Sequence, residues 1–458
     1  MLMGGSMAAD SAADRPTADR PAETAADPAA ATPATPDSPV ARLARERVDH
    51  RFKGLPPSAE GRTVGELAAE RRSLFTGGFT TPVLVLSAEA LEHNLAALER
   101  YAAAHGLAFA PHGKTSLAPQ LFERQLDRGA WGITAAVPTQ VRLYRAFGIQ
   151  RIFLANEVVD AAALHWLAGE LDADPDFRFL AYVDSPRGVE LMDAALREAG
   201  ARRPVDVVVE LGAGPGARTG ARTEADCAAV ADAVAATGTL RLVGVAGYEG
   251  EVPEPDGERV RAWLRRLIAL AVAFDREGRF AEADEIVVSA GGSAWFDAVA
   301  DVFEELPELS GPVLKLLRSG AYVSHDDGRY REVTPFNRVP EEGTLRPAFR
   351  LWAQVVSRPE PGQAFLNAGK RDAAYDLDLP EAQVIRSLDG TERPATGLTV
   401  TGLSDQHAWL AVAEGTRLEV GDWVGLGLSH PCTSFDKWQL IPVAEADGTV
   451  TDYIRTFF

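Results

Sequence analysis

The chain has 458 residues, 46% of them hydrophobic, and eight tryptophans, which indicates a large folded core and argues against general disorder. Its net charge of −20 argues against nucleic acids and anionic membranes as partners, because both demand basic surfaces. No apolar run approaches the roughly 18–20 residues that a membrane span needs. The two cysteines, Cys227 and Cys432, are too few for a disulfide framework, so a reducing compartment is expected.

The first forty residues consist mainly of Ala, Pro, Asp and Thr. A segment of this composition buries too little apolar surface to offset its ordering entropy, so residues 1–40 are predicted to be a disordered tail. The tail lacks the basic start and apolar stretch of a signal peptide, which predicts a cytoplasmic protein. Residues 41–80 are predicted to form an N-terminal segment that packs with a C-terminal β domain.

From Thr81 onward, strands alternate with helices. The segment TPVLVL is predicted to be a strand, and Ser87 then opens an amphipathic helix. Eight further apolar runs follow, each before a helical stretch, and they are LAFAP, GITAAV, RIFLAN, FRFLAYVD, VDVVVELG, LVGVAGYEG, EIVVSAGG and PVLKLLRSG. This alternation predicts an α/β fold in which residues 81–344 form a (β/α)8 TIM barrel. An open, doubly wound sheet is the structural alternative.

The carboxyl ends of these runs favour the barrel. Polar residues and glycines follow almost every run, and they are Lys114, Asn156, Asp184, Glu210, Tyr248, Glu249, Gly291, Gly292, Ser293 and Arg318. A barrel gathers such side chains on one face from many strands, whereas an open sheet concentrates its ligand contacts at one crevice. After residue 345 the strands are short and broken by Gly, Pro and Asp, which predicts an all-β domain over residues 345–458.

Lys114 follows the first of the eight runs, in the motif PHGKT. A lysine at a strand end inside a dry pocket has a lowered pKa and serves as a nucleophile. The alternative is a lysine whose charged end reaches water at the barrel rim. The polar residues at the other strand ends favour the nucleophile.

Two glycine-bearing turns come at the ends of the last two runs. SAGGS contains Gly291, Gly292 and Ser293, and RSGAYVSHDDG contains Gly320. Glycines let the main chain approach a ligand closely, and free N–H groups at such a turn bind anions. Because the loops after strands seven and eight form the usual phosphate site of a barrel, these two turns predict a bound phosphate.

The segment LGAGPGARTG, at residues 211–220, partly matches the dinucleotide fingerprint G-x-G-x-x-A. It lies in the middle of the chain, and Pro215 and Arg218 fall where a smooth helix start is needed. A dinucleotide site is therefore the minor alternative, and Arg218 is interpreted as a cation directed at the ligand ring.

Near the C-terminus, LSHPCTSFDKW contains His430 and Cys432 two residues apart. On an extended segment both side chains point the same way, and an imidazole with a thiolate suits zinc. The alternative is a buried cysteine that packs as a small hydrophobe beside a hydrogen-bonded histidine. Zinc normally takes three or four protein ligands, and His407 is a further candidate.

These motifs occur in one order along the chain: PHGKTSLAP, ELGAGPGARTG, GYEG, SAGGS, LRSGAYVSHD and SDQHA…SHPC. In this the chain resembles the fold-type III pyridoxal-phosphate enzymes of the D-serine dehydratase and D-threonine aldolase family, which have an alanine-racemase-like barrel. The resemblance covers residues 75–445. It implies a D-amino acid as the small-molecule substrate, and a homodimer in which the β domain of one subunit lies near the site of the other.

The resemblance also implies roles for individual residues. Lys114 would bind pyridoxal 5'-phosphate as a Schiff base and take the Cα proton of the substrate. The other implied cofactor contacts are His112, Arg218, Tyr248, Gly291, Gly292, Ser293, Gly320 and Tyr322. His430 and Cys432 match the metal pair of the dehydratases, whereas the aldolases usually have aspartate at the second position, with a harder ion. Cys432 therefore favours zinc and dehydration.

The expected activity is a zinc-dependent dehydratase, or deaminase, that converts a D-β-hydroxy amino acid of the D-serine or D-threonine type to a 2-oxo acid and ammonia. A D-threonine-type aldolase with Mn²⁺ or Mg²⁺ is the alternative. A non-enzymatic pyridoxal-phosphate-binding protein is a weaker one, because such proteins lack the C-terminal β domain. In the family motif R-P-H-x-K-T, Ala110 replaces the arginine here, and Arg318 is the cation available in its place.

Overall fold

The computed structural model describes residues 37–458, so the predicted tail lies outside the described residues except for its last four. The helices are α1 (Val64–Ala69), α2 (Ala88–Ala104), α3 (Pro119–Asp127), α4 (Pro138–Ala146), α5 (Ala161–Ala173), α6 (Pro186–Glu198), α7 (Glu224–Ala235), α8 (Gly257–Arg276), α9 (Phe296–Glu304), α10 (Arg329–Val333) and α11 (Cys432–Phe435). The strands are β1 (Val83–Ser87), β2 (Ala108–Phe109), β3 (Ile133–Ala135), β4 (Arg151–Glu157), β5 (Arg178–Val183), β6 (Val205–Leu211), β7 (Leu240–Gly247), β8 (Ile286–Ala290), β9 (Val313–Leu317), β10 (Phe349–Glu360), β11 (Gln363–Leu366), β12 (Glu381–Arg386), β13 (Glu392–Pro394), β14 (Leu398–Leu403), β15 (Ala408–Val412), β16 (Trp423–Gly427), β17 (Leu440–Ala444) and β18 (Val450–Arg455).

Strands β2 to β9 form one parallel sheet in the order β2-β9-β8-β7-β6-β5-β4-β3. The sheet closes on itself, because the Trp131 N–H donates to Phe109 O at 2.7 Å and the Thr134 N–H donates to Pro111 O at 2.9 Å. These strands coincide with the eight apolar runs of the sequence. The predicted (β/α)8 barrel is confirmed, and the closure excludes the open doubly wound sheet.

The barrel strands are buried on both faces, which explains why a strand such as β6, with the sequence VDVVVEL, is almost entirely apolar. The barrel interior is filled by side chains that include Phe153, Leu180, Val208 and Leu316. The surrounding helices pack on the outside of the strands in a second, larger cluster. Because the interior is filled, ligands have access only to the ends of the barrel.

The second sheet is mostly antiparallel and has ten strands, with the main path β13-β12-β16-β10-β1-β17-β18. From β10 a branch continues through β11 and β15 to β14. It includes β1, in which Val83 lies opposite Trp352 of β10 and Leu86 lies opposite Val443 of β17. The prediction that the barrel domain begins at residue 81 is therefore wrong, since this first strand belongs to the β sheet. The hydrophobic pattern located this strand in the sequence. Its pairing partners, β10 and β17, come after the whole barrel in the sequence, so the pattern could not identify them.

The segment that precedes β1 packs on this β sheet. Val48, Phe52 and Leu67 share a buried cluster with Trp352 and Tyr453. Main-chain bonds add to the contact, since the N–H of Leu74 donates to Gly448 O at 2.8 Å and the N–H of Val450 donates to Arg72 O at 2.9 Å. Within residues 37–458, no helix combines the length and apolar content that crossing a bilayer requires.

Candidate active site

A cavity of about 470 Å³ opens at the carboxyl ends of the barrel strands. Its lining also includes Tyr330, from the helix α10 that follows the barrel, and Cys432, from the β domain. Side chains from the ends of all eight strands reach the cavity, among them Lys114, Asn156, Tyr182, Glu210, Tyr248 and Arg318. A larger surface cavity of about 890 Å³ lies between the N-terminal segment and the β domain and contains none of these groups. The barrel mouth is therefore the candidate active site.

Lys114 lies in a short 3-10 turn that directly follows β2. Gly113 makes this turn possible, because a Cβ atom there would lie 2.5 Å from the Tyr144 hydroxyl. Removal of water by the cavity walls lowers the pKa of Lys114, and the positive charges of Arg218 and Arg318 act in the same direction. The Lys114 amine is thus held in a setting that favours its neutral, nucleophilic form.

Arg318 is the buried cation of the cavity, with 5% of its surface exposed. Its Nε donates to Ser289 Oγ at 2.8 Å, and its Nη2 donates to Gly247 O at 2.6 Å. The guanidinium lies over the rings of Phe153 and Tyr182, 5.4 and 5.6 Å from their centroids. These contacts fix a positive charge at the floor of the site. The sequence indicated Arg318 only as a substitute cation, because a strand-end arginine gives no sign of its burial.

The glycine turn after β8 is occupied by a side chain of the protein itself. The N–H groups of Gly291 and Gly292 donate to the two carboxylate oxygens of Glu249, at 2.9 and 2.6 Å. Glu249 is completely buried. The prediction of free N–H groups at this turn is therefore wrong for Gly291 and Gly292. It failed because Glu249, from the end of the neighbouring strand β7, is distant in sequence.

The rest of this turn joins the turn after β9. The Ala321 N–H donates to Ser293 Oγ at 3.3 Å, and Ser319 Oγ donates to Gly292 O at 2.9 Å. A Cβ atom at Gly320 would lie 2.7 Å from His112, so only glycine fits this approach. The sequence-predicted residues Ser293 and Gly320 therefore lie together on the cavity wall.

The other sequence-predicted cofactor contacts divide into two groups. His112 and Tyr248 line the cavity, and Arg218 lies at its rim, where it pairs with Glu251 at 2.8 Å and covers the Tyr248 ring. The side chain of Tyr322 lies elsewhere, because its hydroxyl accepts from Gln125 Nε2 at 3.0 Å and its ring packs on Phe109. The short turn after β9 directs the Tyr322 ring away from the cavity, so the cofactor contact predicted for Tyr322 does not involve this ring.

The run that resembled a dinucleotide fingerprint forms a loop after β6. Helix α7 begins only at Glu224, beyond the glycines, and the Gly212 N–H donates to Ala221 O at 2.9 Å. A dinucleotide site needs the glycines at a strand-to-helix turn, with the helix N-terminus at the phosphates. This loop therefore lacks the strand-to-helix turn that a dinucleotide site requires.

Three carboxylates face one another at the ends of β4, β5 and β6. Oxygen atoms of Glu157, Asp184 and Glu210 lie within 4.8 Å of one another. The hydroxyl of Tyr182, in the same wall, is buried without a hydrogen-bond partner among the described residues. Burial, with the charges of Glu210 and Asp184, raises the pKa of Glu157 to about 8. Glu157 is not among the sequence-predicted site residues, because it lies one residue beyond the apolar run RIFLAN.

Replacing Glu157 with glutamine is expected to reduce the loss of stability at alkaline pH. The pKa of Glu157 is about 8 in the folded chain against an ordinary 4.5, so the folded state binds more protons between these values. Unfolding free energy therefore falls as pH rises through this window, and glutamine removes the effect. Thermal unfolding at pH 5 and pH 8.5 should show the Tm of the variant falling at least about 2 °C less than that of the wild type. Exposed Glu308→Gln is the control, and equal falls for both variants would contradict the prediction.

His430 and Cys432 come together at a tight turn and not on an extended segment, which corrects the geometry assumed from the sequence. His430 has a positive φ of 53°, and Cys432 is the first residue of α11. Hydrogen bonding with Cys432 raises the pKa of His430 to about 9. Burial opposes ionisation of Cys432, but hydrogen bonds from His430 and Thr115 lower its pKa below the ordinary thiol value. The Cys432 sulfur and the His430 ring therefore lie next to each other, as the two members of a metal-ligand pair would.

The pair lies between the barrel and the β domain. Cys432 Sγ is 3.5 Å from Thr115 Oγ1, in the turn that carries Lys114. The imidazole of His430 donates from Nδ1 to the carboxylate of Asp376, which leaves Nε2 for another ligand. His407 is exposed between β14 and β15 and does not line the cavity, so it does not add to this pair.

Comparison with known proteins identifies the class of the chain. Residues 86–306 match the family described as "Alanine racemase, N-terminal domain", and residues 348–444 match the family described as "Putative serine dehydratase domain". D-threonine aldolase from Arthrobacter sp is 30% identical over 81% of this chain and 90% of its own length. D-threo-3-hydroxyaspartate dehydratase from Delftia sp. (strain HT23) is 26% identical over 82% of this chain and 97% of its own. The crystal structure of D-threonine aldolase from Filomicrobium marinum superposes with a TM-score of 0.68 at 23% identity and covers 83% of this chain and 95% of its own.

These relatives define a family of pyridoxal-phosphate lyases built on an alanine-racemase-like barrel with a C-terminal β domain. The chain belongs to this fold-type III pyridoxal-phosphate family. The resemblance that the motifs carried is thereby confirmed, and the enzyme class follows from it.

Proposed function

We propose that the chain is a zinc-dependent dehydratase, or deaminase, that uses pyridoxal 5'-phosphate to convert a D-β-hydroxy amino acid to a 2-oxo acid and ammonia. The substrate would be of the D-serine or D-threonine type. The observation that carries this proposal is the placement of Cys432 beside the Lys114 turn, with Sγ 3.5 Å from Thr115 Oγ1. A thiolate at the second metal position favours a borderline-soft ion over Mn²⁺ or Mg²⁺.

The residues of the cavity fit the cofactor. His112 Nδ1 is buried without a partner among the described residues, and the Arg318 guanidinium lies at the floor of a cavity of about 470 Å³, which is large enough for a small molecule. Lys114 would carry the cofactor covalently, and the joined turns at Ser293 and Gly320 would contact its phosphate. The bound cofactor supplies an electron sink that weakens the bonds at the substrate Cα.

Lys114 has a second task once substrate has entered. Its amine has a lowered pKa because the cavity walls exclude water, so Nζ is available as a base for the Cα proton. Arg318 and Arg218 supply the positive charges that act on Lys114, and Arg218, whose side chain is 64% exposed, would exchange its partner Glu251 for a bound carboxylate. Protein groups thus orient the substrate, exclude water and hold the proton at Lys114 Nζ.

Metal would be held by His430 Nε2 and Cys432 Sγ, with the remaining positions open to water or substrate. Asp376 fixes the imidazole through Nδ1, an arrangement typical of metal-binding histidines. A zinc ion there would act as a Lewis acid toward a substrate hydroxyl group. The same pair would suit a dehydratase, in which this hydroxyl leaves, and an aldolase, in which it loses a proton.

A D-threonine-type aldolase is the second candidate, and a specific observation favours it. D-threonine aldolase from Arthrobacter sp is 30% identical over 377 residues, which exceeds the 26% identity to the hydroxyaspartate dehydratase. In that reaction the Cα–Cβ bond would break and glycine would be released with an aldehyde. Lys114, Arg318 and the metal pair would serve either reaction, so the products must decide.

Product analysis with D-threonine tests the proposal. We expect 2-oxobutyrate and ammonia, loss of both when a chelator removes the metal, and recovery when Zn²⁺ is returned, because the ion polarises the leaving hydroxyl. L-Threonine is the control and should give neither product at a comparable rate. Glycine and acetaldehyde from D-threonine would establish the aldolase instead.

The homodimer expected from the sequence is also part of this proposal. Tyr375 and Leu377 are 48% and 49% exposed and lie on either side of Asp376, the partner of His430. These apolar side chains support a contact between subunits beside the metal pair.

A further inference from the structure

The loop after β9 contains a buried carboxylate that is bonded to the main chain of two separate segments. Asp326 is 1% exposed. Its Oδ1 accepts from the N–H groups of Gly328, Tyr330 and Arg331, at 3.2, 2.8 and 3.2 Å. Its Oδ2 accepts from the N–H of His430 at 2.9 Å. The side chain of Asp326, in the last barrel loop, thereby binds the main chain of His430, in the β domain.

His430 needs such a contact because of its backbone conformation. Its φ of 53° lies in the left-handed region of backbone conformation, which residues other than glycine rarely adopt. Positions of this kind persist only when the surrounding structure fixes them. Asp326 fixes the main chain of His430, and Asp376 fixes the imidazole ring through Nδ1. The direction of Nε2 therefore depends on both carboxylates.

Further bonds join the same two segments. The Asp327 N–H donates to Leu428 O at 2.9 Å, and the Arg329 N–H donates to Ser429 Oγ at 3.3 Å. Tyr330, which Asp326 holds through its main chain, lines the cavity together with Cys432. Asp326 thus lies at the centre of the contact between the last barrel loop and the metal pair.

We propose that Asp326 is a positioning residue that sets the geometry of the His430–Cys432 metal pair. This inference rests on the proposed metal site. Both oxygens of this carboxylate are acceptors. One accepts from three N–H groups, and the other accepts from the N–H of His430. Asparagine would turn an NH₂ group toward one of these sets of donors, so one set would lose its acceptor.

Zn²⁺ affinity of the cofactor-loaded protein tests the proposal without reference to activity. Metal would be removed with a chelator, and Zn²⁺ would be titrated in competition with a chromophoric chelator. Asp326→Asn is expected to weaken Zn²⁺ binding by about 10- to 100-fold, the range found when an outer partner of a metal ligand is changed. Cofactor absorbance should be unchanged, because Asp326 does not line the cavity.

Asp327→Asn is the matched control. Asp327 is the next residue and is also buried, but its Oδ1 accepts from Gln383 Nε2 at 2.6 Å and not from His430. Its Oδ2 has no partner among the described residues, so an amide there displaces no bond. Zn²⁺ affinity of this variant should stay within about twofold of wild type.

A third variant, His430→Ala, separates failure of this inference from failure of the metal site. If His430→Ala weakens Zn²⁺ binding and Asp326→Asn does not, the positioning role is overturned and the metal pair stands. If His430→Ala leaves Zn²⁺ affinity unchanged, the proposed metal site itself is wrong, and the positioning role falls with it.

Hydrogen exchange of the wild-type protein covers the case in which Asp326→Asn does not fold. In the metal-free, cofactor-loaded protein, peptides spanning residues 428–434 should remain protected, because the His430 N–H donates to Asp326 and this bond does not involve a metal ligand atom. Rapid exchange of this segment after metal removal would overturn the proposal, since the ion and not Asp326 would then order the turn.

Discussion

Replacing Lys114 with alanine is expected to abolish covalent cofactor binding and to lower kcat by at least about 10³-fold. Among the described side chains that line the cavity, Lys114 is the only lysine, so no other amine is placed to replace it. Its pKa is lowered by exclusion of water, which suits the amine to both of its proposed roles, as cofactor anchor and as base. The visible absorbance of the cofactor, and its permanent attachment after borohydride reduction, provide a direct measurement.

Lys53→Ala is the matched control for this change. Burial also lowers the pKa of Lys53, but its Nζ donates to Asp372 Oδ1 at 2.7 Å in the β domain, far from the barrel mouth. This variant should keep the borohydride-stable adduct. A wild-type level of adduct in Lys114→Ala would show that another residue anchors the cofactor.

Replacing Cys432 with aspartate is expected to lower the zinc-supported rate by at least about 10²-fold. The thiolate is the softer of the two predicted metal ligands, and a carboxylate at its place favours a harder ion. The variant should therefore bind less zinc and regain part of its activity with Mn²⁺. Metal content after dialysis, and rates with each metal, measure the two effects.

Cys227→Ser is the control for loss of a thiol. Cys227 is fully buried on α7, where burial raises its pKa to about 12, so it provides no thiolate for a metal. Zinc content should stay at the wild-type level in this variant. If Cys432→Asp also kept its zinc and its rate, Cys432 would not be a ligand, and its use in choosing the dehydratase would be mistaken.

Local sequence patterns were sufficient for the barrel but not for every strand. Each of the eight apolar runs became one of β2 to β9, because burial on both faces leaves a continuous apolar signature in the sequence. The strand β1 has the same signature, and yet it pairs with β10 and β17 of the other sheet. A strand's composition records that it is buried, whereas its partners depend on contacts between distant segments.

In the candidate site, too, local sequence patterns located some residues but not the contacts between distant segments. Lys114 and Gly320 could be located from strand ends and turns, and both line the cavity. The occupancy of the Gly291 and Gly292 N–H groups could not be predicted, because Glu249 reaches them from another strand end. Tyr322 lies within the expected motif, but the turn directs its ring toward Phe109.

The sequence by itself determined the barrel, the separate β domain and the order of the motifs that mark a fold-type III pyridoxal-phosphate lyase. These properties are encoded in periodicity and in short segments, where neighbouring residues decide the outcome. The tertiary structure alone decided that Arg318 is the buried cation, that Glu157 joins the acidic group and that Asp326 holds His430. Each of these depends on contacts between segments that are distant in the sequence, in a buried setting where removal of water strengthens charges and hydrogen bonds.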